Sequence, residues 1–311
     1  MEKYYVADAH CDFLYFAAKE NFDIRNIQKY QCMTLDRMRE GNVALQFFAA
    51  WTDDKEKHRS PLQQGLDMMA AYHRMLSQNS GVFTPFTPDF DPKSGKIATV
   101  LSIENLSCME DNLNNLDIFY LLGVRAATLT WNGKSTLASS SASKHDEGLT
   151  KLGKTTVEKL TQLKIAVDLA HLSDRGIDDV LETTDMPVFS SHTNARDFFF
   201  SPRSMKDSHI REIARRGGVI GVNFFYKQLT HEKHAYVSDV VNHICYISEK
   251  FGTDCVALGS DFDGMNLYPD DLQHSGHMQN IAHELERRGM HRDEIEKIMY
   301  GNLARYMKKF V

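Results

Sequence analysis

Tyr4-Tyr-Val-Ala-Asp-Ala-His-Cys-Asp12 is an apolar run closing on a histidine and an aspartate two residues apart. Apolar character sustained over so short a run marks a strand covered on both faces, as in a parallel sheet. Side chains at i and i+2 share one face of a strand, so His10 and Asp12 point together and Cys11 points away. Seven further runs of this kind follow, at Val43–Ala50, Ile97–Glu104, Ala126–Trp131, Ala166–His171, Pro187–His192, Val219–Phe224 and Cys255–Asp261.

Between them lie helix-like stretches, among them Pro61–Leu76, Asn112–Leu122, Thr155–Leu163, Asp174–Leu181, Ser208–Arg215 and Ser238–Phe251. The Asp174 and Ser208 starts have N-cap character, and Gly217-Gly218 punctuates the return to the next strand. Eight strands alternating with helices predict a closed (β/α)8 barrel of the metal-dependent hydrolase type. An open doubly wound sheet is the alternative, but no G-x-G-x-x-G follows the first strand. The tail from about Asn280 to Val311 reads as two or three extra helices packed outside the barrel. Gly133–Lys154, rich in Ser, Thr and Lys, reads as a long loop on the barrel mouth. With no repeat, low-complexity segment or Pro-rich linker, residues 1–311 read as a single domain.

Composition narrows the partners. Hydrophobic residues make up 42% of the 311 and charged residues 25%, enough for a large core and an ordinary wet surface. No stretch approaches the ~18 consecutive apolar residues that span a bilayer. The chain enters its first strand without a basic, apolar leader, so no membrane partner and a cytoplasmic location are expected. A net charge of -6 with scattered Lys and Arg argues against nucleic acid as a partner. The five cysteines, at 11, 32, 108, 245 and 255, form no CxxC pair and read as reduced, mostly buried thiols.

Metal-competent residues close several of the strands: His10 and Asp12 the first, Glu104 the third, His171 the fifth, His192 the sixth, Asp261 the eighth. In a barrel these ends converge on one mouth. Taken singly, each has a plain structural explanation, such as a hydrogen-bonded histidine or an aspartate capping a helix. Taken together they do not, because burying two carboxylates with three imidazoles and no cation costs several kcal/mol. Nitrogen and oxygen donors without thiolate suit zinc, with manganese or cobalt as alternatives. The set is large enough for two ions, with Glu104 placed to bridge and Asp261 placed to shuttle a proton. The other eleven histidines fall in helices or loops and read as non-ligands, mostly at the surface.

The chain resembles the membrane (renal) dipeptidase family of zinc dipeptidases, in the form of a bacterial member without a membrane anchor. The resemblance rests on Asp8-Ala-His-Cys-Asp12, Ser102-Ile-Glu104, Leu122-Gly-Val-Arg125, Asp168-Leu-Ala-His-Leu-Ser173, Ser191-His-Thr-Asn-Ala-Arg196, Pro202-Arg203 and Gly259-Ser-Asp-Phe-Asp-Gly264, in the family's order. It implies two zinc ions per chain, one held by His10, Asp12 and Glu104, the other by Glu104, His171 and His192. It further implies a metal-bridging hydroxide that hydrolyses dipeptides with a free C-terminal carboxylate. Asp261 and Glu104 take the catalytic roles, Arg203 pairs with the substrate carboxylate, and a homodimer is expected.

One departure bears on substrate. Where mammalian enzymes carry a histidine after the Leu-Thr of the fourth strand, this chain has Trp131 and then Asn132, both candidate substrate contacts. Trp131 can stack or donate one N–H but cannot exchange a proton at neutral pH. Two other readings stand beside this one: another amidohydrolase-like barrel metallohydrolase, and a non-catalytic binding protein that keeps the fold. The first fits poorly, since such enzymes usually begin with His-x-His, and the second requires a damaged site.

Overall fold

The apolar runs become strands. The computed structural model describes residues 3–20, 22–26, 31–133 and 135–311. Met1 and Glu2 ahead of the first strand, and Lys134 in the long loop, lie outside the described residues. One sheet contains β1 (Val6–Asp8), β2 (Val43–Trp51), β3 (Phe83–Pro85), β4 (Ile97–Glu104), β5 (Val124–Thr128), β6 (Ala166–Asp168), β7 (Ser190–Thr193), β8 (Ile220–Asn223) and β9 (Val256–Gly259). All its ladders are parallel, in the order β6-β5-β4-β2-β1-β9-β8-β7. The two ends of that order meet at the Asp168–Phe189 bridge, where the Leu169 N–H donates to the Phe189 carbonyl at 2.8 Å. The eight expected strands therefore close into a (β/α)8-type barrel. The ninth, β3, pairs with β4 from outside the barrel order, and at three residues it is too short for periodicity to register.

Helix starts follow capping chemistry. Ser60 accepts from the Gln63 N–H ahead of Pro61–Gln78, with Pro61 in the first turn. Ser173, not Asp174, caps Asp174–Thr183, and Asp207–Arg215 starts from Lys206 without a side-chain cap. Gly217 takes φ +71 at the exit of that helix, as its place in the sequence suggests. Two short helices, Phe13–Lys19 and Leu35–Glu40, have no counterpart in the sequence-based expectation. Among the described residues, no helix is long and apolar enough to cross a membrane.

Side chains alternate between two apolar layers. Outward residues such as Val6, Phe48, Ile103 and Leu258 pack beneath the helices. The inward layer is rich in small residues, Ala7, Ala9, Ala98, Ala126, Ala166 and Ala257, with Leu45, Phe47, Val100 and Phe189 among them. Barrels are usually filled by branched side chains, and alanines leave the floor of this one underfilled. The tail supplies the missing volume. Arg292–Glu296 runs through a π-turn at Lys297–Gly301 into Asn302–Met307, and Leu303, Tyr306, Met307 and Phe310 pack against the inward layer. Instead of packing only outside, as expected from the sequence, the tail plugs the barrel floor. Tyr306 sets its ring 5.1 Å from Phe189 and donates its hydroxyl to the Pro187 carbonyl at 3.1 Å.

The histidines also need one correction. His209 and His243 are buried, not superficial: His209 faces Asp178 at 3.0 Å and His243 accepts from the Ala195 N–H at 3.3 Å. Replacing Tyr306 with alanine is expected to cost about 3–5 kcal/mol of stability in urea unfolding, and with phenylalanine only about 1 kcal/mol. Equal losses would place the value of the plug in its hydroxyl rather than its volume.

Candidate metal centre at the barrel mouth

Five strand ends deliver polar side chains to the same space. His10 follows β1, and its ring packs 4.0 Å from that of His192. Its Nε2 lies 3.3 Å from Asp12 Oδ2 and 3.5 Å from Glu104 Oε2. Asp12 occupies the N-cap position of Phe13–Lys19, yet its side chain makes no capping bond. The helix-cap explanation for this aspartate therefore fails, and its buried Oδ1 has no protein partner. Glu104 ends β4 and faces two ways. While Oε2 is turned to His10, Oε1 lies 2.8 Å from His171 Nε2 and 3.7 Å from His192 Nε2.

Local backbone turns make this convergence possible. Asn105, His171 and Asp261 all take left-handed φ, at +73, +67 and +59. Such values are uncommon outside glycine and cluster where a fold holds a functional geometry. They swing the chain out of the strand line at the level of the mouth. Gly264 is required by crowding: a Cβ there would meet Asp12 Oδ2 at 2.2 Å and Asp261 Oδ1 at 2.5 Å.

Beneath the mouth, two buried aspartates stitch strand ends together. Asp8 accepts from Gln46 Nε2 at 2.9 Å, the Ser260 N–H at 2.8 Å and Ser260 Oγ at 2.7 Å, joining β1 to β2 and to the end of β9. Asp168 accepts from the Ser191 N–H at 2.9 Å and the Ala170 N–H at 3.0 Å, joining β6 to β7. Both belong to the quoted motifs, but their partners on neighbouring strands are so distant in the chain that the spacing gives no hint of the role.

Electrostatics single out the centre. Burial disfavours charge on His10, yet the Asp12 and Glu104 carboxylates prevail and raise its proton affinity well above the ordinary value. Burial, aided by the Arg203 guanidinium, holds His171 at about 4; burial with His10 and Arg203 takes His192 well below its usual value. Both rings are therefore neutral, the form that ligates metal. The His171 Nδ1 meets the Asn132 amide oxygen at 3.0 Å, a contact that, with the proton on Nδ1, turns the Nε2 lone pair toward the centre. That lone pair faces Glu104 Oε1 at 2.8 Å and His192 Nε2 at 3.0 Å. Two imidazole nitrogens and a carboxylate oxygen converging at this range are a donor set that a cation would satisfy. The donor set fits a metal group on this ground, with the orphaned Asp12 oxygen as a second.

The candidate residues thus come together. Ligand atoms of His10, Glu104 and His192 lie within 4.8 Å of one another, as do those of His10, Asp12 and Asp261. Asp261 stands among the possible donors as well as beside the centre. Asn223 Nδ2 donates to its Oδ2 at 3.1 Å, while Oδ1 lies 3.9 Å from His10 Nε2. Burial, with the push of Asp12 and Glu104 against the pull of His10, brings its carboxyl up to about 7. Arg203 Nη2 donates to the His192 carbonyl at 3.0 Å and lines the same cavity of about 1080 Å³. Trp131 also lines it, whereas Asn132, a candidate substrate contact, is engaged with His171. The loop expected over the mouth contributes Ser141 and Ser143. Trp51, Tyr15 and Phe16 line the cavity too and are absent from the sequence-based set. Trp51 closes β2 as Glu104 closes β4, one residue past the expected run, but it is no metal ligand and the strand-end signal passed it over.

Replacing Asp8 with alanine is expected to destabilise the metal-free protein by about 3 kcal/mol or more, since it strands several buried donors. Asp8→Asn, which keeps an acceptor oxygen, is expected to lose less. Urea midpoints of the two variants compare them, and equal midpoints would contradict the clamp.

Three comparisons agree in direction. The model of the membrane dipeptidase family, peptidase family M19, matches residues 1–310. The human protein named dipeptidase 3 is 27% identical over 99% of this chain, which spans 66% of that protein's length. A dipeptidase of Aspergillus terreus is 31% identical over 88% of this chain and 76% of its own. In fold, the chain is similar to a metallo peptidase from Rhodobacter sphaeroides crystallised with a phosphinate mimic of the dipeptide L-Ala-D-Ala. The TM-score is 0.91 at 23% identity, with 100% of both chains covered.

Proposed function

This chain belongs to the membrane dipeptidase family, and on that premise we propose that it is a zinc-dependent dipeptidase cleaving the amide bond of dipeptides with a free C-terminal carboxylate. The observation that carries the reading is the two-way carboxylate of Glu104, with Asp12 and His10 on one side and His171 and His192 on the other. His10, Asp12 and Glu104 would hold one zinc ion, and Glu104, His171 and His192 a second. When bound, such a pair supplies an activated water as nucleophile at neutral pH and polarises the scissile carbonyl.

The remaining work falls to the chain. Arg203, fixed by its bond to the His192 carbonyl, offers the rest of its guanidinium fork to the substrate carboxylate. Asp261, steadied through Oδ2 by Asn223, keeps Oδ1 toward the centre, where it can take a proton from the attacking water and return it to the leaving amine. Asn132 and Ser191 fix the rings of His171 and His192 through their Nδ1 atoms, at 3.0 and 2.8 Å. A homodimer and a cytoplasmic location belong to the same reading.

Elemental analysis of the purified protein is expected to find about two zinc per chain, and chelation to abolish hydrolysis of a dipeptide panel. Asp261→Asn is expected to lower kcat by about 10²–10⁴-fold with zinc retained. Arg203→Ala should act mainly on KM for free dipeptides. Full turnover in the first, or an unchanged KM in the second, would remove the role assigned to that residue. Asn132→Ala is expected to weaken zinc about 10–100-fold in a chelator competition. An unchanged zinc affinity with a raised KM would return Asn132 to substrate contact.

A further inference from the structure

The cavity is chemically two-sided. Around the closed strand order, β2 stands diametrically opposite β7. Arg203 follows β7, with Lys227 and Gln228 following the adjacent β8. Across the mouth, Trp51 ends β2, flanked by Tyr15 from the helix after β1 and by Trp131 after β5. These three rings form one continuous surface. Tyr15 meets Trp51 edge-on at 5.2 Å, and Trp51 meets Trp131 edge-on at 5.0 Å. Trp131 reaches 6.3 Å from the His171 ring, so the wall abuts the metal centre itself. The Trp51 indole N–H is buried and meets no acceptor in the protein.

From this arrangement, and resting on the dipeptidase reading above, we propose that the wall is the subsite for the side chain of the substrate's first residue. It selects dipeptides that begin with a large aromatic or apolar amino acid. The argument is geometric. Two residues of extended chain reach about 7 Å. With the carboxylate on Arg203 and the scissile carbonyl over the centre, the first residue extends away from β7, toward the β1–β2–β5 side. There it meets aromatic edges and faces, which favour another ring in offset or edge-on contact. Trp51 and Trp131 are then specificity-determining residues.

The zinc-loaded enzyme, assayed on Phe-Ala, Leu-Ala, Ala-Ala and Ala-Phe, tests this directly. The expected kcat/KM for Phe-Ala exceeds that for Ala-Ala about tenfold or more, mostly through KM, with no such gain for Ala-Phe. Trp51→Leu and Trp131→Leu are expected to bring the Phe-Ala to Ala-Ala ratio down toward one, and Trp51→Phe to keep part of it. A wild-type ratio near one, or a ratio that neither leucine variant moves, overturns the proposal. The chain has two tryptophans, Trp51 and Trp131, so its intrinsic emission reports this wall without turnover. A 4-nitrophenylalanyl-alanine analogue with the amide reduced to a methyleneamine is expected to quench that emission, and its reversed-order isomer is not. Equal quenching by both overturns the proposal. If no dipeptide is cleaved, the dipeptidase reading fails, while the quenching comparison still decides whether the wall takes a first-residue side chain.

Discussion

Glu104 is buried with imidazole rings against it from two directions, and the rest of the mouth is organised around that crowding. A carboxylate between His10 on one side and His171 and His192 on the other gathers a buried set of donor atoms that a cation would suit. Protonating His10 relieves one side, but the other two rings are held neutral by burial and by Arg203. Positive charge supplied from outside the chain resolves the whole set at once, which is why the geometry and the family membership point to the same proposal.

Holding such a centre in place is the task of the layer beneath it. Asp8 and Asp168 contribute no atom to the cavity lining, yet each binds the ends of neighbouring strands through buried hydrogen bonds. Left-handed turns at Asn105, His171 and Asp261 then lift the chain away from its strand at fixed points. Backbone strain of this sort persists only where surrounding structure over-determines it. The clamps and the turns are thus complementary: one fixes where each strand stops, the other fixes where its last side chain points.

Much of this was legible because the signal is local. An apolar run followed by a metal-competent residue is readable within ten positions, and its recurrence located the strands and the metal-competent residues alike. What escaped reading depends on distance or on volume. The partner of Asp8 is Ser260, 252 positions away. The aromatic wall joins a helix residue, Tyr15, to two strand-end tryptophans that share no motif. The burial of His209 and His243 follows from which helix faces are covered, and the polar character of histidine pointed the other way. The floor plug was hidden for a similar reason. Alanines inside a barrel reveal a deficit of volume only once the barrel is known to close.

That plug gives the barrel a temporal order. Its first residue, Leu303, is synthesised about 44 positions after Gly259 completes the last strand, an interval of a few seconds at roughly 5–20 residues per second. Through those seconds the sheet can pair, but its alanine-lined underside lies open to water, chaperones and other nascent chains. The floor is therefore the apolar surface of the barrel whose cover is synthesised last, and until that cover docks it is open to misassembly.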